Sequence, residues 1–92
     1  MKRLTYEQVV ELYGGEIADK ALATNVEPTS RTMYPAFEDP SHIGKNEWGG
    51  EAIELDSNHT ITAYCYLSEQ DEEDTDSFDW EANAEFEITE TL

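Results

Sequence analysis

Carboxylates are the first residues in this chain whose spacing bears on chemistry. Asp79, Glu81, Glu85 and Glu87 fall on one parity of the stretch from Phe78 to Thr89, and Glu69, Asp71, Glu72, Glu73, Asp74 and Asp76 crowd the segment before it. A calcium loop needs D-x-[DN]-x-[DN]-G and a closing Glu at position twelve. Counted from Asp74, Glu85 falls at twelve, but Phe78 and Asp79 stand where a ligand and the glycine belong; counted from Asp71, position twelve is Ala82. Neither register makes a dedicated site. The only nitrogen and sulfur ligands, His42, His59 and Cys65, lack metal-ligand spacing. No nucleophile elbow or glycine-rich phosphate loop occurs, and Gly14-Gly15 and Gly49-Gly50 are isolated pairs. Paired carboxylates can do acid–base work only where their environments differ, and none stands apart here. The sequence therefore predicts no enzyme, no metal and no cofactor.

The charge pattern itself remains. Of 92 residues, 22 are Asp or Glu and five are Lys or Arg, for a net charge of -17. Up to Lys45 there are seven acids and all five bases; from Asn46 onward there are fifteen acids and no Lys or Arg. Alternate carboxylates on an extended strand lie about 6.6 Å apart, of the same order as phosphates that rise about 3.4 Å each along a DNA strand. Asp79, Glu81, Glu85 and Glu87, flanked by the 69–76 acids and by Glu51, Glu54 and Asp56, would present a field like a duplex edge to a protein built to grip phosphate. Such binding is fast, salt-sensitive and competitive with nucleic acid. Glu81 and Glu85 share the outward face in this reading, so reversing both charges is expected to remove binding and spare the core.

In size, charge and architecture the chain resembles the small acidic nucleic-acid mimics among phage and mobile-element anti-defence proteins, which include anti-restriction and anti-CRISPR proteins. The resemblance rests on the composition of Glu69, Asp71, Glu72, Glu73, Asp74, Asp76, Asp79, Glu81, Glu85 and Glu87, roughly the last third of the chain. It implies a DNA- or RNA-mimic inhibitor whose partner is a basic nucleic-acid-binding protein, acting in the cytoplasm of a host cell without binding nucleic acid directly. Two other readings share the acidic face. An adaptor or antitoxin-like module would cap a basic protein without imitating DNA. A halophile's domain would carry acid for solubility, although that acidity should cover the whole exterior. A homodimer is left open.

Positioning these groups requires a fold, and length allows one small domain over 1–92, with a near-neutral helical and loop part over 1–45 and an acidic sheet part over 46–92. Ten aromatics and 38% apolar residues supply a core. The single Cys65 excludes an internal disulfide and fits a reducing cytoplasm. No apolar run approaches a membrane span. Strict alternation from Phe78 to Thr89 predicts one twelve-residue strand with Phe78, Trp80, Ala82, Ala84, Phe86 and Ile88 inward. Leu4 to Tyr13 reads as a helix, with Thr5 and Gln8 as a capping box, Leu4 and Val9 as a hydrophobic staple, and Gly14-Gly15 as its stop. A second helix runs from Glu16 to about Thr24, with Ile17, Ala18, Ala21 and Leu22 inward. The pair invites a helix-turn-helix reading, but Lys20 between Glu16 and Asp19 offers no basic surface for phosphates.

The segment 26–50, with all three prolines, reads as irregular, with a short strand near Arg31–Tyr34 and with Met33, Tyr34, Phe37, Ile43 and Trp48 pinning it to the core. Glu51 to Leu67 reads as a β-hairpin turning at Asp56-Ser57-Asn58-His59, with Ile61, Ala63, Cys65 and Leu67 on one face of a central strand. Ser68 to Ser77 is expected to be solvated and mobile, joining that strand to the Phe78 strand as an antiparallel pair. The predicted architecture is α+β: one or two N-terminal helices packed on an antiparallel sheet of three or four strands.

Overall fold

A computed structural model describes residues 3–28, 30–33 and 44–90, with the side chains of 30, 32 and 33 outside the description. Within it the elements run α1 (Tyr6–Tyr13), α2 (Gly15–Val26), β1 (Ser30–Met33), β2 (Asn46–Gly49), β3 (Ile53–Asp56), β4 (His59–Leu67), α3 (Glu69–Glu73), a 3-10 turn (Thr75–Ser77), α4 (Trp80–Asn83) and β5 (Ala84–Glu90). The expected α+β architecture is present, with two helices ahead of an antiparallel sheet.

β4 organises the sheet. β5 lines one of its edges over His59–Cys65. β3 pairs with its first residues and β2 with its last four, so β3 and β2 share the opposite edge end to end. β1 adds beyond β2. The sheet is thus four strands across, and the central position expected for Thr60–Leu67 follows from the apolar character of both its faces.

One face is covered by helices. Ile61, Ala63, Cys65, Leu67, Ala84 and Phe86 meet Val9, Ala18, Ala21 and Leu22 in a single core. α1 begins as its sequence dictates. Thr5 Oγ1 accepts from Gln8 N and Gln8 Oε1 accepts from Thr5 N, a complete capping box. Gly14 ends it with φ of 97°, a conformation that favours glycine, and the chain restarts immediately as α2. At the far end of α2, Asn25 is fully buried and its Nδ2 donates to Trp48 O and Ala63 O, each at 2.7 Å. This amide bonds the helix to the backbone where β2 leaves the ladder. The approach is close enough that a Cβ on Gly50 would lie 2.4 Å from Thr24 Oγ1.

Four expectations are corrected. The stretch Phe78–Thr89 is not one strand: Asp79 Oδ1 accepts from Ala82 N and Asp79 O accepts from Asn83 N, which winds Trp80–Asn83 into a helical turn, and the strand starts only at Ala84. A side-chain cap at Asp79 and the helix-tolerant Glu81-Ala82 outweigh the period-two pattern there. Ser68–Ser77 is folded. Ser68 and Asp71 form a second capping box that starts α3, and a 3-10 turn follows. The 26–50 segment supplies two strands, of which β2 was not anticipated, while Tyr34, Phe37 and Ile43 lie outside the described residues. Finally, β1 comes from the near-neutral part and α3 and α4 from the acidic part, so the charge boundary at residue 45 is not a boundary between helices and sheet.

Candidate functional site

The ten carboxylates singled out by sequence separate into three settings. On the sheet face away from the helices, the register sets Glu47 opposite Tyr66 and Tyr64 opposite Glu85, with Glu87 next along β5. Arg3 lies across this row. Its guanidinium ion-pairs with Glu87 at 3.3 Å, Glu85 at 3.6 Å and Glu47 at 3.9 Å, donates to Tyr66 Oη, and sits 4.3 Å from the Tyr64 ring centroid. Tyr66 Oη in turn donates to Glu47 Oε2 at 2.9 Å. Burial works against the Arg3 charge, but Tyr66, Glu87, Glu47 and Glu85 outweigh it and raise its pKa above the ordinary value. Burial also pushes the Tyr66 and Tyr64 hydroxyls up. Glu85 and Glu87 point outward as expected, yet they are not a cation-free ladder. Glu81, placed on the same strand face by sequence, sits instead on α4.

Glu72 is the second setting. It accepts from Trp48 Nε1 at 2.6 Å, from Asn46 Nδ2 at 3.0 Å and from Arg31 at 3.3 Å, while Arg31 lies 4.8 Å from the Trp48 ring centroid. Burial raises its pKa, but the bonds from Trp48, Asn46 and Arg31 prevail and hold it below the ordinary carboxylate value. Glu72 fastens α3 to the sheet. Asp71 is likewise engaged, its Oδ2 accepting from Ser68 N in the capping box that starts α3.

The third setting is open. Glu69, Glu73, Asp74, Asp76, Asp79 and Glu81 are exposed along α3, the 3-10 turn and α4. Among the described residues none of them has an ion-pair partner; Asp79 spends one carboxylate oxygen on the α4 cap. Short capped turns, not neutralising cations, fix their backbone. Beside them two clefts meet at Asp79 and Glu81. One, of about 390 Å³, runs to Thr5, Tyr6 and Glu7. The other, of about 360 Å³, is floored by Leu22, Ala23, Val26, Phe78 and Trp80 and rimmed by Asp19. Tyr6 donates to Asp19 Oδ1, which with burial pushes the tyrosine up to about 12.

Sequence reasoning did not find Arg3, Glu47, Asp19 or the Phe78–Trp80 floor. Trp80 and Phe78 stack edge to face at 4.8 Å, and Trp80 reaches Trp48 at 5.7 Å; their i, i+2 spacing had read as strand. Cys65 is fully buried and burial, then Glu85, pushes its thiol up to about 12, which makes it a poor nucleophile. Among the described residues no group of three His, Cys, Asp or Glu side chains is placed to hold a metal ion, and no helix is long and apolar enough to cross a membrane. Comparison with known proteins finds no matching family model, no matching curated protein and no matching solved structure.

Proposed function

We propose that this protein is a non-catalytic, acidic inhibitor that occupies the basic nucleic-acid-binding groove of a host defence or DNA-binding protein in the cytoplasm. The observation that carries the proposal is the third carboxylate set: six exposed acids within the thirteen residues from Glu69 to Glu81, unpaired among the described residues, on backbone that is already ordered. Ordered charge lowers the entropic cost of docking, and an acidic field steers a Lys- and Arg-rich groove onto it. The tied residues Glu72, Glu85 and Glu87 drop out of the contact set, and Asp71 serves mainly to hold α3.

The test is capture on the immobilised protein from a host lysate, with salt elution in the presence and absence of duplex DNA. The proposal expects a discrete nucleic-acid-binding partner that duplex DNA displaces, and loss of that partner when Glu69, Glu73, Asp74 and Asp76 are changed to their amides. A partner indifferent to DNA overturns mimicry. It would favour a second reading, an acidic module that caps a basic protein without imitating DNA. One observation supports this second reading: an aromatic floor beside the acids, which a phosphate backbone has no counterpart for.

A further inference from the structure

Among the described residues, two aromatic rings lie under an arginine that carboxylates hold in place. Arg3 covers Tyr64 among Glu47, Glu85 and Glu87, and Arg31 covers Trp48 beside Glu72. A third place has the same ingredients and no cation of its own among the described residues. Phe78 and Trp80 form its floor with Leu22 and Val26, Val26 being 47% exposed, and Asp19, Asp79 and Glu81 stand on its rim. Asp79 caps α4 through Oδ1 and Asp19 accepts from Tyr6 through Oδ1, so each keeps its other oxygen, and Glu81 keeps both.

We infer that this cleft is a docking site for an arginine side chain on a peptide segment of the protein partner. The rim and the floor ask for different halves of one residue. Three carboxylates demand positive charge, and on an apolar aromatic floor a strongly hydrated ammonium loses more hydration than the flat, weakly hydrated guanidinium, which stacks there together with its methylene stem. The guanidinium's rigid planar fork also pairs bidentately with a rim carboxylate, a geometry an ammonium does not reproduce. The inference rests on the proposal that the acidic surface binds a basic protein, and it adds where one partner residue seats.

The test uses the full chain and a seven-residue peptide of alternating arginine and alanine, with the lysine-for-arginine peptide as control, followed by amide and indole chemical shifts. Expected are shifts concentrated at Ala23, Val26, Phe78 and the Trp80 indole, and binding at least fivefold tighter for the arginine peptide. Ala23 is exposed on α2, so Ala23→Arg leaves the core alone and places a guanidinium in the cleft from within; it should weaken peptide binding at least tenfold. Shifts spread evenly over every exposed carboxylate, equal affinity for the two peptides, or undiminished binding by A23R overturns the inference. The two proposals fail separately. A lysate partner displaced by DNA but bound equally by A23R removes the cleft and keeps the inhibitor; peptide seated in the cleft with no lysate partner does the reverse.

Discussion

Glu47, Glu85 and Glu87 surround Arg3 on the open face of the sheet, whereas Glu69, Glu73, Asp74, Asp76 and Glu81 line α3 to α4 with no cation among the described residues. Both groups come from a stretch without a single Lys or Arg. What separates them is reach. A strand of the sheet lies against distant sequence, and so Arg3 arrives from 84 residues away from Glu87. A run of short surface turns lies against little else. One group is therefore part of the fold's electrostatics, and the other is available to a partner.

The contrast can be broken by removing its cation. Arg3→Ala strands three carboxylates and Tyr66 together, and should lower unfolding free energy by about 2 kcal/mol, between the values for exposed and buried pairs. Arg3→Lys should recover only part of this, because a point charge cannot fork and stack as the guanidinium does. Denaturant titration reads both; equal stability of Arg3→Ala and the parent would dissolve the distinction. A second measurement sharpens it by separating two residues the alternation pattern had joined. Glu85→Lys sets a cation against Arg3 and should cost about 1 to 2 kcal/mol, while Glu81→Lys should leave stability within about 0.5 kcal/mol and weaken partner binding instead.

Adjacent residues in α3 give a smaller and more stringent version. Glu72→Gln should cost about 1 kcal/mol, and Glu73→Gln should be neutral or slightly stabilising. The Glu72 effect has a definite pH sense. Its carboxylate is held below the ordinary value, so its stabilisation is complete at neutral pH, above the unfolded carboxylate's range, and is lost as pH falls through the folded value. The gap between parent and Glu72→Gln should close on acidification when thermal midpoints are compared from pH 7 down to pH 3. Smallest is the response to salt. Screening relieves repulsion within the exposed acids, so the midpoint should rise modestly with sodium chloride, and rise less in a variant with Glu73, Asp74 and Asp76 changed to amides.

The legible parts of the fold were those specified within a few residues. Thr5 and Gln8 announced α1, Gly14-Gly15 its end, and the alternation of Ile61, Ala63, Cys65 and Leu67 the central strand. Its antiparallel pairing with the following strand was also legible, because the two strands follow each other in the chain with no other strand between them. Local signals failed where a second local signal competed: Asp79 caps a turn inside an alternating run, and Ser68 with Asp71 makes a capping box inside an acidic run that reads as solvated. Signals were absent where tertiary contact decides. Asn46-Glu47-Trp48-Gly49 has no strand pattern of its own and is strand because β4 and β1 flank it. Of the site, the exposed acids were legible from charge alone. The cleft was not, since Asp19 and Leu22 reach Phe78 and Trp80 only through the docking of α2.

Leu4 exchanges both backbone hydrogen bonds with Phe86, at 2.9 and 2.8 Å, on the edge of β5 away from β4. On the ribosome this closure waits until β5 has emerged, because both of Leu4's backbone bonds go to Phe86. Until then Glu47, already translated, faces water without its arginine, and α1 has no strand to anchor its entry. Closing a loop of this length costs more entropy than closing the sheet's hairpin, so the Leu4–Phe86 bridge is expected to form after the β3–β4 pairing. The cation that covers the sheet's outer face thus precedes every strand in the sequence, yet meets Glu85 and Glu87 only once the last described strand is in place.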